Sequence, residues 1–149
     1  LYSLVMDSYS MGYTASGYSD MSINHKIFLA QFDTIKKLAD EASCVIVGRC
    51  ADYALEDYPN VVSVFSTGDD KDKLKRLQEL YKVDESKAKD IMIKTDKQRS
   101  NYYNYYSNKK WSDPRSYDLC INSSKVGADG AVDVIMNFAK VKQAWNRQK

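Results

Sequence analysis

The chain predicts an α/β fold built on a parallel sheet, and two observations carry that expectation. Two short apolar runs, CVIVG (44–48) and VVSVFS (61–66), lack the polar alternation of a half-exposed strand, and YDLCINSS (117–124) is a third strand candidate. The first two read as strands covered on both faces. Around them lie stretches whose apolar residues recur at three- and four-residue steps, the period of a helix face. Strands alternating with helices imply right-handed crossovers and a parallel sheet.

Residues 1–24 are rich in Ser, Tyr and Met and read as a short helix followed by an irregular loop. Ile27, Phe28, Phe32, Ile35, Leu38 and Ala39 then line one face of a helix from His25 to Ala42, with Asn24 as its N-cap. The strands 44–48 and 61–66 follow. Leu74, Leu77 and Leu80 mark a helix over 71–81. VDESKAKDIM opens the next helix, with Asp84 as cap and Lys87 three residues on. After the strand 117–124, a last helix over 129–145 is expected to bury Val132, Ile135, Met136 and Ala139.

At 149 residues the chain has the size of one domain. Its 44% hydrophobic content supports a core, and a net charge of +2 gives no general polyanion-binding signature. The basic character is local. Between Lys94 and Arg115 stand Lys94, Lys97, Arg99, Lys109, Lys110 and Arg115 against only Asp96 and Asp113. Cys44, Cys50 and Cys120 cannot all pair and have no metal-ligand spacing. Cys44 and Cys120 fall in strand runs and read as core thiols. His25, the single histidine, stands beside no Cys and no second His, so no metal site is expected. No apolar run approaches the length of a membrane span and nothing resembles a signal peptide. A reducing cytoplasm is the expected compartment.

Ligands of parallel sheets bind beyond the carboxyl ends of the strands. This directs attention to 48–52, 67–70 and 123–125. Arg49 follows a strand behind Gly48, where its planar fork suits phosphate or carboxylate; pairing with Asp52 is the plainer alternative. Lys94, Lys97 and Arg99 offer the positive charge that phosphoryl transfer needs, on a segment able to close and exclude water. Asp96 can orient Arg99 or hydrogen-bond a sugar hydroxyl, and a solvated helix end is the alternative. The run KTDKQRSNYYNYYSNKKW (94–111) sets Tyr102, Tyr103, Tyr105, Tyr106 and Trp111 among cations. Those rings either stack single-stranded nucleic acid or seat the segment on the domain. Ser123 and Ser124 either contact a ligand or serve a turn.

Together CVIVGRCADYAL (44–55), VVSVFS leading into a charged helix, and TDKQRSNYYNYYSNKKWSDPRSYDLCINSSKVG (95–127) resemble the cytidylate kinase-like family of P-loop nucleoside monophosphate kinases. The resemblance extends over residues 1–140. It implies a three-layer α/β/α P-loop NTPase-type fold on five parallel strands. Residues 1–43 would be acceptor-binding helices, 44–83 core strands and helix, 84–116 a lid, and 117–149 the last strand and helix. The implied activity is transfer of the ATP γ-phosphoryl to CMP, dCMP or a similar nucleotide, with Mg²⁺ accompanying ATP. Lys94, Lys97 and Arg99 match the catalytic lid cations. Arg49, Asp52, Asp96, Lys26 and Gln31 would hold the acceptor, and Ser123, Ser124 and Lys125 would lie near the adenine of ATP.

Better-characterised members carry an aspartate directly after the Gly-Arg pair and favour arginines in the lid. Here Cys50 stands after Arg49, and Lys94 and Lys97 supply charge without the bidentate fork. The phosphate-cradling G-x-x-x-x-G-K-[ST] is absent from these residues. The chain opens LYSLVMD, already inside an amphipathic pattern, so a preceding strand–loop–helix unit of about 30 residues or more is expected, carrying the P-loop and the Mg²⁺ ligands. Two other functions remain open at this point: a catalytically silent kinase-like domain binding nucleotide or protein, and a nucleic-acid module using the Tyr/Lys segment. The small net charge and the clustering of cations on one segment argue against the latter. The partners implied are small-molecule nucleotides, with no membrane association.

Overall fold

The computed structural model describes residues 19–148, so the short helix expected near the start of the chain lies outside the described residues. The chain divides between Ala51 and Asp52 into two compact units. In the first, helix α1 spans Ser19–Glu41 and buries Phe28 and Ile35. It begins ahead of the expected position, so residues 19–24 are helical and Asn24 lies inside the helix instead of capping it. Ser19 and Asp20 supply the short polar and acidic residues that favour a first turn.

The run 44–48 is not a strand. Val45 is 94% exposed and Val47 70% exposed, and Cys44 is exposed as well. β-branched residues favour an extended chain, but a strand exists only through pairing. Among the described residues nothing pairs with this run. It leads into Gly48, Arg49 and Cys50, all three at positive φ (73°, 58° and 52°). Only Gly48 takes that conformation without steric cost; Arg49 and Cys50 hold it under strain. The core thiol is Cys50, which is buried, and not Cys44 or Cys120, which are exposed because the one lies in an unpaired run and the other on the open face of its strand.

The second unit holds the sheet. A short helix α2 (Ala51–Ala54) precedes β1 (Val64–Thr67); α3 (Asp70–Tyr81) and α4 (Glu85–Ser107) follow. A 3₁₀ turn (Pro114–Ser116) leads to β2 (Leu119–Asn122), and α5 (Ser123–Asn146) ends the chain. β1 and β2 pair in parallel, with Val64 opposite Leu119 and Thr67 opposite Asn122. The crossover between them is the α3–α4 pair, and α5 packs on both strands. Both strands are shorter than their apolar runs. Residues 61–63 and 117–118 instead make side-chain bonds: Asp118 accepts from the Ser63 backbone N–H at 2.8 Å, and Lys142 Nζ donates to Asp118 Oδ2 at 2.7 Å and to the Val61 carbonyl at 2.8 Å.

Asp84 caps α4 as the sequence predicts, accepting from the Lys87 N–H at 2.8 Å. The helix then runs unbroken to Ser107. α5 starts earlier than expected, at Ser123, with Asn122 as its cap and a non-helical residue at Gly127. Its inward face is Ala131 with Ile135, Phe138 and Ala139. Val132 and Met136, expected in the core, are exposed. Each lies one residue from that stripe, which carries it about 100° around the helix. Cys120 is also exposed, on the uncovered side of β2.

Candidate functional site at the carboxyl ends of the strands

Because Thr67 pairs with Asn122, the two chains leave the sheet side by side. Four hydrogen bonds tie them together. Ser123 Oγ donates to the Thr67 carbonyl at 2.9 Å, and the Asp69 backbone N–H donates to Ser124 Oγ at 2.9 Å. Asn122 Nδ2 donates to Asp69 Oδ1 at 2.8 Å, and Lys125 Nζ to Asp69 Oδ2 at 2.6 Å. Gly68 permits this approach: a Cβ there would stand 3.3 Å from Ser124 Oγ. The hydrogen bonds from Lys125 and Asn122 hold the Asp69 carboxyl below the usual carboxylate range, and Asp69 in turn raises Lys125.

Lys73 extends the cluster toward α4. Its Cγ lies 4.0 Å from where a Gly68 Cβ would be, and its ammonium stands 3.5 Å from Asp70 and 3.9 Å from Asp96. Asp96 also pairs with Arg99 at 3.6 Å. One carboxylate on α4 therefore stands between a cation of α3 and a cation of its own helix. Lys94 and Lys97 are not part of this group. Residues two apart on a helix do not share a face, so Lys97 projects away from Arg99, and Lys94 accompanies Lys97 on the exposed side. Neither Lys73 nor Asp69 was singled out from sequence, although the 67–70 loop was. The available signal was Asp70 three residues before Lys73 at the start of a helix.

The remaining predicted residues lie elsewhere. Asp52 accepts a hydrogen bond from the Tyr103 hydroxyl at 2.6 Å. Burial pushes that hydroxyl far above the ordinary tyrosine range, and the Asp52 carboxylate adds to the shift. Tyr103 stacks on Tyr117, Tyr117 on Phe65, and Trp111 meets Phe65 edge-on. These rings seat the α4–β2 segment. Tyr106 contacts both Tyr102 and Tyr105, and of the four tyrosines Tyr105 is the most open at 65% exposed. Arg49, Lys26 and Gln31 belong to the first unit: Arg49 in the left-handed turn, Lys26 exposed on α1, and Gln31 half-buried there. Among the described residues no three His, Cys, Asp or Glu side chains gather as a metal-holding group, and no described helix is long and apolar enough to cross a membrane.

Residues 1–125 match the model of the cytidylate kinase-like family. The chain belongs to that family. A chain of known structure, similar to this one at 42% identity and a TM-score of 0.76, is an uncharacterized protein from Eubacterium ventriosum ATCC 27560. The likeness covers 81% of this chain and 76% of the other. No curated protein matches.

Proposed function

We propose that this cytidylate kinase-like chain is part of an ATP-dependent nucleoside monophosphate kinase acting on CMP, dCMP or a similar nucleotide in a reducing cytoplasm. The three-layer P-loop-type fold belongs to the same proposal. Besides family membership, one observation supports it: Asp96 stands between Lys73 and Arg99 beside the Asp69–Ser124–Lys125 cluster. At 3.6 Å the Asp96–Arg99 pair is longer than a hydrogen bond. The guanidinium donors thus stay available to phosphoryl oxygens, while the carboxylate keeps the side chain near its station. Arg99 stabilises the transferring phosphoryl, Lys94 and Lys97 add positive charge from the far face of α4, and Arg49 holds the acceptor's phosphate. Asp96 and Asp52, with Lys26 and Gln31, belong to acceptor recognition, and Ser123, Ser124 and Lys125 to the ATP end.

Mg²⁺ would accompany ATP and neutralise phosphate charge. Among the described residues no three His, Cys, Asp or Glu side chains gather to hold it, and no step above passes through it. Against the nucleic-acid reading, Tyr103 is buried and Trp111 is packed on Phe65.

The test is ATP-dependent phosphorylation of CMP, dCMP, UMP and AMP by the protein expressed from its full reading frame. Activity on one of them is expected, abolished in Arg49→Ala and sharply reduced in Arg99→Ala. Nucleotide binding without turnover in the wild type would instead support a silent kinase-like domain. Salt-sensitive oligonucleotide binding without turnover would support the nucleic-acid module.

A further inference from the structure

We propose that α1 is a dimer interface, on which two copies of this chain pack antiparallel about a two-fold axis near Ala30. The inference is independent of the kinase reading.

At about 100° per residue, Phe28, Phe32, Ile35 and Ala39 share one stripe of α1, the side that carries the buried Phe28 and Ile35. Ile23, Ile27, Ala30, Thr34 and Leu38 share a second stripe, about 130° around the helix from the first. Ile27 and Leu38, expected with the buried set, belong to this second one. Its three large side chains, Ile23, Ile27 and Leu38, are 42–52% exposed, and Ala30 and Thr34 are exposed as well. Thr34 Oγ1 donates to the Ala30 carbonyl at 2.7 Å, so the stripe can be covered without stranding a hydroxyl. One helix thus has two apolar sides, and the chain itself buries only the first.

Two features of the open stripe select a second copy as its cover. The first is its near-palindromic shape. Reversed about Ala30, Ile23 meets the partner's Leu38 and Ile27 meets the partner's Thr34, with the small Ala30 where the two backbones cross. The second is charge. Lys26 and Asp33 lie on the same edge of the stripe, about two turns apart. Both are exposed, and neither forms an ion pair among the described residues. The antiparallel arrangement brings Lys26 beside the partner's Asp33, and the symmetry repeats the pair on the other side of the axis. A parallel arrangement would set like charges against each other at both positions. A lysine ammonium has three donors, so the pairing leaves Lys26 able to meet a nucleotide too.

Few large side chains make a small interface, which sets the dissociation constant on the order of 10 μM. Sedimentation equilibrium of the protein from its full reading frame, over about 1–200 μM, should therefore show monomer and dimer together. Ala30→Glu puts a charge at the centre of the interface and should weaken it more than about tenfold. Lys26→Glu and Asp33→Lys each turn two attractions into repulsions and should weaken it about fivefold. The Lys26→Glu/Asp33→Lys protein should return to within about twofold of the wild type. These two changes lie on the surface and keep the test alive if Ala30→Glu fails to fold. A monomer at every concentration overturns the inference and leaves the stripe to another segment of the full protein or to a different partner. A dimer that a folded Ala30→Glu protein retains, or a double variant that stays as weak as the singles, overturns it as well.

Discussion

Replacing Tyr103 by Phe keeps the ring and removes one hydroxyl. Tyr103 is 7% exposed, and its hydroxyl donates to Asp52 over 2.6 Å. A hydrogen bond to a charged acceptor contributes about 1.5–3 kcal/mol. Asp52 is only half-buried and recovers some water, which places the loss near the lower end, about 1.5–2 kcal/mol. The pH dependence is more diagnostic than the size. Burial raises the folded-state pKa of Tyr103, with Asp52 adding to it, while an unfolded tyrosine ionises near pH 10. The stabilisation is therefore complete below about pH 10 and is lost as pH rises beyond it, at up to about 1.4 kcal/mol per pH unit. Tyr117, also raised, chiefly by burial, acts in the same direction and is coupled to Tyr103 by a side-chain hydrogen bond. Urea unfolding followed by circular dichroism at about pH 7.5 and about pH 10.5 should show the Tyr103→Phe deficit shrinking at the higher value. A variant with the wild-type midpoint at neutral pH, or a deficit that grows in alkali, would refute the coupling.

Three further outcomes are expected. Asp84→Ala should destabilise by about 1 kcal/mol in thermal unfolding, because the Lys87 N–H loses its cap. Gly68→Ala introduces a Cβ 3.3 Å from Ser124 Oγ and should cost about 1–3 kcal/mol by pressing the two loops apart, read as a lower melting temperature. Partial burial pushes the Asp118 carboxyl up, yet hydrogen bonds from Lys142 and Ser63 outweigh it and hold the group below its ordinary value. Its contribution is present above about pH 4 and lost as pH falls through the folded value, so acid titration of stability should be flatter in Asp118→Asn.

Local signals were legible and pairing was not. The Asp84 cap and the Leu74–Leu77–Leu80 stripe depend on neighbours in sequence, and α3 and α4 begin within a residue of where those signals place them. CVIVG has a strand's composition, but strand formation depends on another chain segment, and the described residues provide none beside it. In α5 Ile135 and Ala139 lie on the inward face as expected, while Val132 and Met136 do not, a difference hidden in the sequence because they are as apolar as the inward residues beside them. At the site, the Asp96–Arg99 pair follows from spacing along one helix. The Lys73–Asp96 and Asp69–Lys125 contacts join residues far apart in the chain, so only the crossover geometry brings them together.

The unbroken course of α4 to Ser107 also decides how its cations can cooperate. A helix is about 10–12 Å across with its side chains. Lys97 and Arg99, on opposite sides of such a cylinder, therefore do not meet each other along the helix. Their removals should be independent, with the logarithmic loss in kcat/KM of the Lys97→Ala/Arg99→Ala protein equal to the sum of the two single losses. A double variant that departs clearly from that sum would mean that the helix unwinds between them during turnover.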